Sequence, residues 1–281
     1  MKKLVSVVLA AVLTLSLFSL ALADKITIAV PNDLTNEGRA LLLLQANGVL
    51  TLKDGVTLEA TKEDVVETKV EIEFQEVEAP MVPNVLADVD YAIINNNFAL
   101  DAGLNPVADS LLKEDASSPY SNVLTVKEGN EDDPRTKALV AALSSKKVAD
   151  YITETFDGAV LSTVAEPGDG FDADVDYDAL NGVTISVAAS PTPHALILKV
   201  AAEILEEKNI KLDVIEFADY VQPNMVVEDG EVFANYFAHY PYQDNFNAEN
   251  GTHLVNVAPI HVEPMGLYGG KQADLNALGI E

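Results

Sequence analysis

A chain of 281 residues with 45 acidic against 17 basic side chains carries a formal charge of −28, which repels phosphate backbones and excludes nucleic acid as a partner. Its 48% hydrophobic content excludes a disordered chain, and the absence of cysteine leaves stability to core burial rather than to disulfides. In chain order, Lys2 and Lys3 precede an uncharged, mostly apolar run from Leu4 to Leu22, and Ala21-Leu22-Ala23 supplies small residues where a signal peptidase reads. This predicts a secretory signal over 1–23, with Asp24 opening the mature chain. The competing reading is a retained membrane anchor, because the run is nearly long enough to span a bilayer.

The mature sequence alternates strands and helices. Lys25–Val30 is a β-rich run, Pro31-Asn32-Asp33 a turn, and a helix starts near Thr35 or Asn36. Val70–Phe74 reads as a strand, Met81–Leu86 as helical and Tyr91–Ile94 as a short apolar strand. A second series runs through a strand at Val183–Val187, a helix from about His194 to Lys208 and a strand at Leu212–Phe217. Strands separated by helices of this length predict parallel α/β units. The two series share a rhythm: the runs at 70–95 and 212–237 each pass from strand to a Pro-Asn helix, an acidic turn and a further strand. Two such lobes leave a cleft at the carboxyl ends of their strands, where open α/β sheets take ligands. Between the series, Glu166–Asp178 is rich in Asp, Gly and Pro without apolar periodicity, and reads as a solvated acidic linker. Its DADVD run lacks the glycine and distal glutamate of a calcium loop.

No G-x-S-x-G motif, no phosphate-binding glycine loop and no metal-ligand spacing among the four histidines is present, so the residues give no basis for a catalytic centre or a cofactor. The conspicuous residues instead lie just past strand ends. Arg39 sits in the first turns of a helix, where a cation opposes the helix dipole; it suits a ligand carboxylate, and equally a surface ion pair. Asn95-Asn96-Asn97 closes a strand, as a turn or as donors and acceptors for a ligand. Tyr236–Tyr242 is the densest aromatic stretch, fit to line a pocket or to pack in a core.

Several of these segments together resemble the methionine-binding lipoproteins of ABC importers, the MetQ/NlpA family: Pro31–Leu44, Phe217–Asn224, Ala234–Tyr242 and His261–Gly266, extended by Ala99–Pro106 and Ser118–Asn122. The resemblance covers nearly all of the mature chain except the acidic stretch. It implies a type II periplasmic-binding-protein fold of two α/β lobes with a ligand cleft between them. It also implies that the halves are exchanged, since the segment like Val183–Tyr268 comes first in the family, so the chain resembles a circular permutation. The expected division is a leader at 1–23, an α/β lobe at 24–120, a helical segment at 121–165 packing on the other lobe, a linker at 166–182 and a second lobe at 183–281.

By the same resemblance Arg39 matches the arginine that holds the ligand carboxylate. Asn95 and Asn122 match asparagines on its amino and carboxylate groups, Tyr220, Phe237 and Tyr242 the aromatic wall, and His239 a histidine of the pocket. The implied function is an exported, periplasmic or extracytoplasmic solute-binding protein, monomeric and without cofactor, that passes methionine or a close analogue to a membrane permease. Two departures matter. The family's lipid-bearing cysteine is absent, which puts membrane attachment in doubt, and Ala238 and Tyr240 replace longer polar or basic residues at the pocket rim. Alternatives are another amino acid or short peptide as ligand, a non-transport binding role, and an enzyme using His239 as base.

Overall fold

The computed structural model describes residues 25–115 and 119–280. The predicted leader therefore lies outside the described residues. The chain begins with β1 (Ile26–Pro31), α1 (Leu34–Ala46), β2 (Leu50–Leu52), β3 (Val65–Thr68), β4 (Ile72–Val77), α2 (Val82–Val85), β5 (Tyr91–Ile94), α3 (Asn96–Asp101) and β6 (Ser110–Lys113). It continues through β7 (Ser121–Lys127), α4 (Pro134–Leu143), α5 (Lys146–Phe156), β8 (Leu161–Ser162), β9 (Thr184–Ala189), α6 (Leu196–Glu206) and β10 (Lys211–Glu216). The last elements are α7 (Gln222–Glu228), β11 (Ala234–His239), α8 (Tyr240–Asn250), β12 (Leu254–Val262) and β13 (Gly266–Gly269).

Two mixed sheets result, ordered β4-β1-β5-β13-β6 and β10-β9-β11-β7-β12-β8, with β2 and β3 forming a separate hairpin. Each sheet is parallel across its first three strands and then accepts one antiparallel strand, β13 in the first and β7 in the second. That inserted strand follows a crossing from the other sheet, β6 to β7 in one direction and β12 to β13 in the other. The lobes thus repeat one topology over five strands, β8 being an added edge strand of the second sheet, and are joined by two connections. The expected second lobe at 183–281 needs correction accordingly: β13 belongs to the first sheet, because pairing with β5 and β6 satisfies its backbone there.

Burial explains the strand sequences. The parallel strands are covered on both faces and read as nearly continuous apolar runs. Ile28, Val30, Tyr91 and Ile93 enter the core under α1, whereas Ala29, Ala92 and Ile94 face the opposite side with Val82 and Tyr268. In the second lobe Ile185, Val187 and Ala189 meet Ile197, Val200, Ala201 and Ile204 of α6, an i, i+3, i+4, i+7 stripe, with Leu198 and Leu205 beside it. The acidic stretch is not freely solvated as expected. Val175 and Leu180 are buried in this core, Phe171 and Tyr177 meet edge-on at 5.5 Å, and Gly168 bridges to Ser145. Its carboxylates face water while its few apolar side chains dock it to the lobe.

Close approach fixes one glycine in α1. A Cβ on Gly38 meets the Leu58 carbonyl oxygen at 2.3 Å and the Ala60 nitrogen at 2.8 Å, both backbone atoms. Gly38→Ala therefore pushes the 58–60 segment off the helix, with an expected loss of about 1–3 kcal/mol in urea unfolding.

Candidate ligand-binding cleft

The site residues sit where the two sheets face each other. α1 follows β1, α3 follows β5, α8 follows β11, and Tyr220 lies between β10 and α7, all at carboxyl ends of parallel strands. Asn122 and Glu263 flank the two crossings. Between the lobes lies a cavity of about 330 Å³ lined by Asn36, Arg39, Asn95, Asn96, Asn97, Asn122, Tyr220, Phe237, Ala238, His239, Tyr242 and Glu263. All seven residues singled out in the sequence are among them, from both lobes.

A relay of amides enters from the first lobe. Asp33 caps α1 by accepting from the Asn36 backbone N–H at 3.0 Å and also binds its side-chain amide at 2.9 Å. That fixes the Asn36 Oδ1, which accepts from Asn95 Nδ2 at 2.8 Å and lies 3.1 Å from His239 Nε2 of the second lobe. His239 caps α8, its Nδ1 accepting from the Tyr242 backbone N–H at 3.1 Å. The two contacts assign it the neutral tautomer with the proton on Nε2, and burial, followed by the nearby Arg39 charge, holds its pKa well below the ordinary value.

The three consecutive asparagines do more than end a strand. Asn95 sits at the N-cap of α3 but its side chain makes no capping bond. Asn96 Nδ2 donates to the Ala159 carbonyl at 2.8 Å and Asn97 Oδ1 accepts from the Tyr220 hydroxyl at 2.6 Å, so both cross to the second lobe. Their other ends are unpartnered among the described residues: Asn95 Oδ1, Asn96 Oδ1 and Asn97 Nδ2 are buried without a hydrogen bond. Each such group costs about 1–3 kcal/mol if left so.

Arg39 is only 3% exposed, so the ion pair it makes is buried and not the surface pair weighed from the sequence. Nε and Nη2 donate to the two Glu114 oxygens at 2.7 and 2.6 Å, and Nη2 also reaches the Glu263 carbonyl at 2.7 Å. Glu114 in turn accepts from the Met265 N–H at 2.9 Å. Burial works against the charge, but Glu114 at ion-pair distance outweighs it and raises the guanidinium pKa. Tyr120 covers the guanidinium face, 4.4 Å from ring centroid to Cζ. Arg39 thereby ties both lobe crossings to α1, and Nη1 is the nitrogen not engaged by Glu114 or Glu263.

The opposite wall is aromatic. Tyr220 lies 5.9 Å from Phe237 and 5.6 Å from Tyr242, with Phe98 on its other side at 4.9 Å. Tyr242 donates its hydroxyl to the Tyr220 carbonyl at 2.8 Å, so the wall is rigid as well as apolar. Behind Asn122, His194 and His261 both direct Nε2 at Glu263 Oε1, at 3.2 and 2.7 Å. Glu263, Glu114 and Asn36 were not anticipated. Asn36 stands at the predicted start of the helix after the first strand, a signal that position past a strand end provides; Glu263 follows β12 and Glu114 follows β6, strands the sequence reading does not mark, and neither gave a signal.

Residues 2–164 and 185–279 match the NlpA lipoprotein family, leaving out 165–184, which holds the acidic stretch. Among curated relatives, the chain is 42% identical over 142 residues to the D-methionine-binding lipoprotein MetQ of Escherichia coli (strain K12), covering 50% of this chain and 52% of that one. It is 45% identical over 135 residues to the membrane lipoprotein TpN32 of Treponema pallidum (strain Nichols), covering 48% and 50%. The chain thus spans about half the length of the curated relatives it matches. Among solved structures, a nutrient binding protein from Burkholderia cenocepacia bound to methionine is 42% identical, with 49% of this chain and 59% of that one covered and a TM-score of 0.46. Since the family match takes in both lobes and every residue lining the cavity, this chain belongs to the NlpA lipoprotein family.

Proposed function

We propose that the cleft captures methionine or a close analogue and that the chain serves as the exported solute-binding component of an ABC importer, handing its ligand to a membrane permease. The observation that carries this reading is the set of buried, unpartnered amide ends facing a cavity with an aromatic wall. Asn95 Oδ1 and Asn96 Oδ1 ask for a donor and Asn97 Nδ2 for an acceptor. A zwitterionic amino acid offers both within a few ångströms, its carboxylate also within the reach of Arg39 Nη1, while a thioether suits contact with Tyr220, Phe237 and Tyr242. Curated relatives named as D-methionine-binding support the choice of side chain.

Bonds that cross the cleft, Tyr220 to Asn97 and His239 to Asn36, describe a closed arrangement of the lobes. A ligand touching both sides favours that arrangement over an open one, which gives a permease a state to recognise. The half-length matches to each curated relative, with the two sheets repeating one topology, support an exchanged order of halves relative to the family. The enzyme alternative fares poorly on His239: its Nδ1 lone pair is used by the α8 cap and its Nε2 carries a proton toward Asn36, so it has no free base site.

Isothermal titration of the exported chain with the common amino acids tests the proposal. Methionine is expected to bind at one per chain with submicromolar to micromolar Kd, about −8 kcal/mol or better. No heat with methionine, and none with any methionine-containing dipeptide, overturns the ligand.

A further inference from the structure

Glu263 brings a carboxylate to the cavity, and among the described residues no Lys or Arg side chain pairs with it. Its side chain is 6% exposed. The two imidazoles that hold it are fully buried, which disfavours their charged forms: His261 Nδ1 faces the Tyr236 hydroxyl while Nε2 faces Glu263, and His194 Nε2 is shared between Glu263 and Asn122 Oδ1 at 3.0 Å. Arg39 touches residue 263 only at its backbone carbonyl, and its paired carboxylate is that of Glu114. Counting the charges around the cavity, the arginine is matched by Glu114 and Glu263 is left over. A buried carboxylate held by neutral donors alone is costly, and a cation at hydrogen-bond distance relieves that cost.

The chemistry that meets this need is a primary ammonium. We propose that Glu263 is the anion that receives the ammonium group of the ligand, and that His194 and His261 are positioning residues that aim its carboxylate. This rests on the reading of the cavity as an amino-acid site and adds to it the group that selects zwitterions over simple carboxylates. Both imidazoles grip Oε1, which leaves Oε2 as the oxygen not taken by either ring, and the Asn97 backbone N–H is a further neutral donor to this carboxylate. Asn95 Oδ1 and Asn96 Oδ1, unpartnered at the same cavity, are two further acceptors of the kind an ammonium with three donors requires.

The test compares methionine with 4-(methylthio)butanoate, the same acid without its amino group, by titration calorimetry on wild type, Glu263→Gln and His261→Gln. Wild type is expected to prefer methionine by about 30-fold or more, the scale of losing one partner of a buried charge pair. Glu263→Gln is expected to weaken methionine by a similar factor while binding the des-amino acid as well as before or better, so that the preference collapses. His261→Gln keeps the carboxylate but loosens its aim, and is expected to reduce the preference several-fold with the des-amino affinity unchanged. Equal weakening of both ligands by Glu263→Gln assigns Glu263 to packing alone and overturns the inference. Should that variant not fold, wild type binding both acids equally well overturns it just as directly. Wild type that binds methionine without this preference sinks the Glu263 assignment only; wild type that binds neither acid nor any other amino acid sinks the reading of the site, and this inference with it.

Discussion

Arg39→Ala is expected to abolish measurable methionine binding and to lower folding stability by about 3–5 kcal/mol, the scale of breaking a buried ion pair by removing one partner. Glu114, its side chain 10% exposed, loses its countercharge, and the Glu263 carbonyl loses its donor at 2.7 Å. For a chain of this size the change corresponds to a fall in Tm on the order of 10 °C. Stability loss by itself would weaken binding only through the unfolded fraction, so a second variant separates the two roles. Arg39→Met with Glu114→Leu removes both charges together, and replacing a buried pair by apolar groups of similar volume is close to neutral. The double variant is expected to recover most of the Tm while remaining unable to bind, as measured by calorimetry and thermal unfolding. Recovery of binding along with stability would show that Arg39 acts as a tie between the crossings and not on the ligand. Arg39→Lys is expected to restore neither fully, because a single ammonium cannot span both Glu114 oxygens.

How far the sequence reveals this site depends on how local each signal is. Tyr91–Ile94 is visible as a strand with the bounds it has in the fold, since four apolar residues between an acidic turn and asparagines leave little choice. β1 and α1 are visible to within a residue or two, because Asp33 caps the helix that follows the strand. β7, β12 and β13 escape the same reading. Each is antiparallel and paired to segments far along the chain, and Leu254–Val262 carries a proline and an asparagine that suggest a loop, though its bulged pairing with β7 accommodates both. The lobe boundary at β13 is missed for the same reason: no composition shift marks a chain that crosses back for four residues. In the cavity, Arg39, Asn95, Asn122, Tyr220, Phe237, His239 and Tyr242 were legible only jointly, through resemblance, because each taken singly had an ordinary structural explanation. Glu114 illustrates the limit. Its role exists only through a contact with Arg39, 75 residues away in sequence, and that is a property of topology.

Acidification is expected to destabilise the fold well above the pH at which exposed carboxylates titrate. Burial depresses His194 and His261 to about 3 in the folded state, from an ordinary 6.5. A histidine depressed in this way contributes its stability above the unfolded pKa and loses it as pH falls from 6.5 toward 3, because the unfolded chain takes up protons that the folded chain refuses. At pH 5 each of the two has forfeited about 2 kcal/mol, together about 4 kcal/mol or a Tm lower by roughly 8–16 °C than at neutral pH. His239, held low by burial and by Arg39, acts in the same direction. Glu263 and Asp33, raised by burial, act in the opposite one: they protonate in the folded state first and add stability as pH falls. The histidine contribution is therefore read as a difference between variants. The Tm of wild type and of His261→Gln, followed from pH 7.5 to 5, should diverge below 6.5, with the variant's stability falling less steeply by about 1.4 kcal/mol per pH unit, one proton's worth. Parallel curves would mean that the unfolded and folded chains bind the His261 proton equally, which a ring fully buried between Tyr236 and Glu263 does not permit.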